Sequence, residues 1–345
     1  MSLSRRRALQ VGTAALTGAF GGWSRPARSE SSDLRVNFAL NRAPFDASNA
    51  PFLLAQKNGY FRDAHVDINL SLSKDALDAL HRVASNEFDL GLLDFPVLLK
   101  FALDKPERAP LYVFTIFDRS PAAAVTWRSS GVTKPADLAG KTLAATPTDG
   151  AFQLFPAFLR AAGVDPASVT LKLVELAERE QLMLDHQVDG AIGFDSTIFY
   201  KLQAKGASLD DVTITYYADG GLDLYSNGII VSRKMLAEHP DRIAGVVEAC
   251  AKGWRDALKQ PQDAIAALVE ANPKASAELE LARFAWIRSR QVATAAVLRN
   301  GLGHVERARV EKIIAQIRAQ DGKNGPFDVA QVYSDKFMPP KIDVS

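Results

Sequence analysis

Phe88-Asp-Leu-Gly-Leu-Leu-Asp94-Phe-Pro-Val-Leu-Leu-Lys100 and Val188-Asp-Gly-Ala-Ile-Gly-Phe-Asp195-Ser-Thr-Ile-Phe-Tyr-Lys201 read as two copies of one design. In each, an acid opens a short apolar strand, and a second Asp ends the strand where a helix begins. A short apolar run bounded by turn residues and followed by a helical pattern is a buried strand feeding a helix. The surroundings repeat the theme. Residues 34–39 and 66–72 read as strands, 50–58 and 75–85 as helices, and 111–117 as a further strand. The second copy sits among strands at 141–145 and 169–174 and helices at 151–162, 177–185 and 196–205. Alternating strands and helices predict parallel sheets covered on both faces, here as two α/β lobes.

Open α/β sheets bind ligands at the carboxyl ends of their strands. If the lobes face each other, those ends form one cleft. Its loops are then residues 41–49, 94–95, 117–120, 147–152, 194–196 and 219–227.

From Ser232 the pattern turns helical. His239-Pro-Asp-Arg opens a helix that carries Gly253-Trp254, and Pro261 opens the next. With these go Tyr225-Ser-Asn-Gly-Ile-Ile-Val-Ser232, Val332-Tyr-Ser-Asp-Lys-Phe-Met-Pro339, Ala50-Pro-Phe-Leu-Leu-Ala-Gln-Lys-Asn-Gly-Tyr-Phe61 and Val132-Thr-Lys-Pro-Ala-Asp-Leu-Ala-Gly-Lys-Thr142. Their order and spacing over residues 34–340 resemble the solute-binding proteins for nitrate, taurine, sulfonates and thiamine-pyrimidine precursors, the SsuA/THI5-like, NMT1 group. The resemblance implies a bilobal periplasmic-binding-protein type II fold with a helical C-terminal region. It implies lobe one at 33–117 plus 222–345 and lobe two at 118–221, with crossings near 117–120 and 220–224. It further implies a monomer that serves the permease and ATPase of an ABC importer. The chain departs from the pyrimidine branch. Asn49-Ala50-Pro51 stands where that branch often has a His, and the single Cys250 cannot supply the cysteine cluster of the synthase relatives. A pyrimidine-precursor enzyme and a ligand-sensing subunit of a membrane receptor are the rival readings.

The amino terminus points to export. Ser4-Arg5-Arg6-Arg7-Ala8-Leu9 resembles a twin-arginine signal, residues 8–20 form a mild apolar run, and Ala27-Arg28-Ser29 offers a cleavage site. That run is shorter than the roughly 20 residues a membrane span needs. Loss of residues 1–29 removes five Arg and no acid, which leaves a net charge of about −4. No basic stripe suggests nucleic acid. With 47% hydrophobic residues the 345-residue chain can fill two medium cores. One cysteine excludes internal disulfides and Cys clusters.

The cleft loops hold Asp46, Asp94, Asp149, Asp195 and Asp219 against two cations, Arg42 and Arg119. An anionic ligand would use those arginines or the helix start at Thr148. A ligand rich in N–H donors would use the aspartates. Asp94, Asp149 and Asp195 each have a second reading, as helix caps. Phe45, Phe52, Phe95, Phe152, Phe194 and Tyr225 can stack on a planar solute, and Asn49 adds a polar edge. The expected ligand is therefore an aromatic or heterocyclic solute. No catalytic arrangement, metal site or cofactor is expected, since the five His are scattered without ligand spacing.

Overall fold

A computed structural model describes residues 34–40, 44–320, 322 and 327–342; the export signal and Arg42 lie outside the described residues. The strands are β1 Leu34–Leu40, β2 Val66–Leu72, β3 Leu90–Asp94, β4 Leu111–Thr115, β5 Ala122–Trp127, β6 Thr142–Ala145, β7 Thr170–Leu173, β8 Gly190–Phe194, β9 Val212–Tyr216 and β10 Asn227–Val231. The helices are α1 Ala50–Lys57, α2 Tyr60–Asp63, α3 Ala76–Ala84, α4 Phe95–Asp104, α5 Gly150–Ala161, α6 Arg179–Leu184, α7 Asp195–Gln203, α8 Arg233–Glu238, α9 Pro240–Lys259, α10 Pro261–Ala271, α11 Ala277–Ile287, α12 Ala295–Asn300 and α13 Arg307–Gln320.

The strands form two five-stranded sheets, ordered β2-β1-β3-β10-β4 and β7-β6-β8-β5-β9. The chain leaves the first sheet after Thr115, enters the second at Ala122, and returns between Tyr216 and Asn227. Both sheets are mixed, which corrects the purely parallel expectation. β10 runs antiparallel to β3 and β4, and β5 runs antiparallel to β8 and β9. The physical reason is the crossing itself, because each of these strands follows a link between sheets and not a βα unit. β5 and β9 were not read from the sequence; Ala122-Ala-Ala-Val-Thr-Trp127 has little of the β-branched signal of a strand.

The two copies share their first acid's role. Asp89 Oδ2 accepts the Asn37 N–H at 2.8 Å, and Asp189 Oδ2 accepts the Thr142 N–H at 2.8 Å. Each carboxylate thereby ties its own strand to the parallel neighbour. On one face of the first sheet lie α1, α9, α10 and α11 around the buried Trp254. A Cβ on Gly253 would come 2.3 Å from the Pro51 carbonyl, so the glycine lets α9 press on α1. The Trp254 ring meets Phe52 at 6.3 Å, Phe117 at 6.2 Å and Phe284 at 6.1 Å. A second apolar cluster spans both sheets through α4, α5 and α13, and a third backs the other sheet with α7. Cys250 is buried in the first, with its thiol pushed up by burial.

Candidate functional site

A cavity of about 70 Å³ opens where the carboxyl ends of both sheets converge. The first sheet contributes Asp46 and Ser48 after β1, Asp75 after β2, Asp94 at the end of β3, Phe117 after β4 and Asn227 at the start of β10. The second contributes Thr146, Thr148, Asp149 and Gly150 between β6 and α5, Leu176 after β7, and Phe194, Ser196 and Thr197 around the start of α7. α11 closes the ring with Arg283 and Ile287.

Asp94 is the anomalous group. Its carboxylate precedes α4 but makes no capping bond. Pro96 occupies the second helical position and has no N–H to offer. Both carboxylate oxygens are buried without a hydrogen-bond partner. Burial pushes the Asp94 carboxyl up to about 7; the Ser226 hydroxyl, close by though short of a well-formed bond, opposes the rise, and the charge of Asp149 adds to it. Gly150 leaves room for this carboxylate, since a Cβ there would sit 2.9 Å from Asp94 Oδ2.

Asp149, by contrast, is fully used. Its Oδ1 accepts the Ala151 N–H at 2.9 Å as the cap of α5, and its Oδ2 meets Arg179 Nη1 at 2.8 Å. Arg179 is wholly buried, donating also to Glu180 at 2.6 Å and to the Ile192 carbonyl at 3.0 Å. A Cβ on Gly193 would lie 2.4 Å from this guanidinium, so the second copy's glycine makes the arginine's berth. Burial works against the Glu180 charge, but Arg179 and Lys201 outweigh it and hold that carboxyl low.

Arg283 Nη1 lies 3.5 Å from Asp46 Oδ2 and 3.3 Å from Glu280 Oε1, and its Nε has no partner. Asp46 Oδ1 also accepts from the Ser48 hydroxyl at 2.6 Å. Asp75 caps α3 through the Asp78 N–H at 2.9 Å.

Asp195 faces elsewhere. Its carboxylate accepts from Tyr216 Oη and Trp286 Nε1 at 2.7 Å each, from Gln291 Nε2 at 3.0 Å and from the Ser196 N–H at 2.5 Å. Burial raises its carboxyl, and these hydrogen bonds oppose the rise. Trp286 stacks on Phe199 at 5.3 Å. Asp195 thus joins α7 to the end of α11 and does not line the cavity.

Of the residues singled out from the sequence, Asp46, Asp94, Thr148, Asp149 and Phe194 line the cavity, whereas Phe52 packs on Trp254 in the core. The others that the structure describes do not. Phe45 offers its carbonyl to Asn272 at 3.1 Å, and Asn49 Oδ1 accepts the Asp46 N–H at 3.3 Å. Phe95 packs edge-on to Tyr112 at 5.0 Å, and Phe152 packs against the cluster that spans both sheets. Arg119 lies 4.9 Å over the Tyr216 ring, near Asp219 at 3.6 Å. Tyr225 accepts the Glu306 N–H at 3.0 Å beneath Arg309. Sequence reading missed Asp75, Leu176, Phe117 as a wall, and Arg283 and Ile287 on α11. Among the described residues no group of three His, Cys, Asp or Glu is placed to hold a metal, and no helix is long and apolar enough to cross a membrane.

A family profile described as NMT1/THI5 like matches residues 46–264. The riboflavin-binding protein RibY of Chloroflexus aurantiacus is 24% identical over 309 residues, covering 88% of this chain and 86% of the relative. The 4-amino-5-hydroxymethyl-2-methylpyrimidine phosphate synthase of Legionella pneumophila is 21% identical over 296 residues, covering 84% and 88%. The periplasmic aliphatic sulphonate binding protein SsuA of Escherichia coli shares the fold, with a TM-score of 0.65 at 17% identity over 86% of this chain and 96% of that one.

Proposed function

For a chain that belongs to the NMT1/THI5-like family, we propose the role of solute-binding component of an ABC importer, holding a small aromatic or heterocyclic solute in the cavity between its two sheets. The observation that carries this reading is the cavity's composition. Carboxylates, hydroxyls and one guanidinium line the cavity together with Phe117, Leu176, Phe194 and Ile287. Binding sites of this kind are mostly apolar with a few placed polar groups. The riboflavin-binding relative supports a heterocycle. The chain would work in the periplasm, exported through its twin-arginine signal, and dock on a permease and its ATPase as a monomer.

In this reading residues 33–117 with 222–345 form one lobe and 118–221 the other, hinged at the two crossings. The crossings bond to each other, Ser120 N–H to the Leu224 carbonyl at 3.0 Å and Ser226 N–H to the Phe117 carbonyl at 3.0 Å. Arg309 of α13 clamps both, reaching Asp118 Oδ1 at 3.0 Å and Asp223 Oδ1 at 2.8 Å. Ligand binding then selects a closed form. The synthase relative supplies the rival, an enzyme acting on a pyrimidine precursor. A thermal-shift and calorimetric screen over flavins, aminopyrimidines, aromatic acids, alkyl sulfonates and nitrate tests the proposal. Tight binding of a heterocycle without turnover is the expected result. Nitrate or a short sulfonate as the tightest ligand, or conversion of a bound pyrimidine, would overturn it.

A further inference from the structure

We propose that Asp94 selects the ligand by seating two adjacent N–H groups, the edge of an amidine, a guanidine or an amino-substituted azine, against its two carboxylate oxygens. The inference rests on the solute-binding reading and adds the chemistry of recognition to it.

The argument begins with which acids are already engaged. Asp149 is held by Arg179 and by the first turn of α5, Asp75 by the first turn of α3, and Asp46 by Ser48 and Arg283. Asp94 alone among the carboxylates of the lining has both oxygens buried without a well-formed hydrogen bond, the nearby Ser226 hydroxyl being an internal donor that cannot serve both oxygens. A buried polar group without a partner costs free energy, and more so when charged. That cost is recovered when a ligand supplies the missing donors. A planar carboxylate with both oxygens open is shaped for two parallel N–H···O bonds.

The rest of the lining fits such a ligand. Phe117 and Phe194 give the lining aromatic surface against which a flat ring packs well. Thr146 Oγ1 and Arg283 Nε are further buried polar atoms without partners, available to a hydroxyl or a carbonyl on the same solute. The positive charge of Arg283 is shared between Asp46 and Glu280. A sulfonate would therefore meet Asp94 with no uncommitted cation among the described lining residues.

Calorimetry at pH 8 on the protein and on Asp94→Asn tests this, with 2,4-diaminopyrimidine, benzamidine, ethanesulfonate and riboflavin as probes. The side chain of Asn keeps the shape but replaces one acceptor with a donor. The expected result is that the protein binds diaminopyrimidine or benzamidine in preference to ethanesulfonate. Asp94→Asn should weaken that binding about ten- to hundredfold, the worth of a charged hydrogen bond, while melting no lower than the parent. Unchanged affinity in Asp94→Asn, or ethanesulfonate binding tighter than both nitrogen probes, overturns the assignment. Riboflavin binding equally to both proteins, with neither nitrogen probe bound, leaves solute binding standing and removes Asp94 from it. Failure of all four probes removes both.

Discussion

Replacing Asp94 with Asn should stabilise the ligand-free protein, by an amount that grows with pH. In the folded chain burial pushes this carboxyl up to about 7 from 3.8, with Asp149 raising it further and Ser226 opposing. Tyr112 also couples to it across the first sheet, and the Arg179 charge on the far side of Asp149 is already engaged there. Between pH 4 and pH 7 the folded state keeps a proton that the unfolded chain gives up. Stability therefore falls as pH rises through that window and levels off above about 7. At about 1.4 kcal/mol per unit the full loss is about 4 kcal/mol, and water entering the open cavity trims it toward about 2. Asn carries no charge at any pH and escapes the loss. Urea denaturation of both proteins at pH 5, 6, 7 and 8 measures the difference. The two should be within about 1 kcal/mol at pH 5, and the variant about 2–4 kcal/mol more stable at pH 8. A variant less stable than the parent at pH 8, or a difference that does not change with pH, would falsify the claim that this carboxylate is buried without a partner.

The other contacts give sharper losses. Trp286→Phe keeps a ring on Phe199 but removes the indole N–H from Asp195; it should cost about 1–3 kcal/mol by denaturant titration, and a change below about 0.5 would place the weight of that joint elsewhere. Arg179→Lys should not rescue the buried network: one ammonium cannot serve Asp149, Glu180 and the Ile192 carbonyl together. We expect a loss of about 3–5 kcal/mol, and a near-native melting temperature would show that the network relaxes around lysine. Changing Arg5 and Arg6 to Lys should leave unprocessed precursor in the cytoplasm; normal trimming and export would replace the twin-arginine route with the general secretory one.

The repeated strand-and-helix design was legible because its signals are local. Apolar runs, acids at strand starts and helix caps all lie within a few residues of one another. Asp89 and Asp189 show how far this reaches, since equal positions in the two copies make the same bond to a neighbouring strand. The antiparallel strands were not legible. Strand direction is set by where the chain crosses between sheets, and no short pattern encodes it. Arg283 and Trp286 were missed for a related reason. α11 was not read from the sequence as an element, and only its return to the cavity mouth brings Arg283 to Asp46 and Trp286 to Asp195.

The second aspartates of the two copies carry the subtler lesson. Both end an apolar strand, and both read as cap or ligand contact. The structure sets them one helical position apart, with Asp94 before its helix and Asp195 inside the first turn of its own. Asp195 takes the Ser196 N–H and turns toward Tyr216 and Trp286. Asp94 is followed two residues on by Pro96, which removes one of the two N–H groups a capping side chain can use. The proline was visible from the start, and the structure shows the Asp94 carboxylate making no cap bond at the end of its buried strand. In the proposed reading the missing donors come from the ligand.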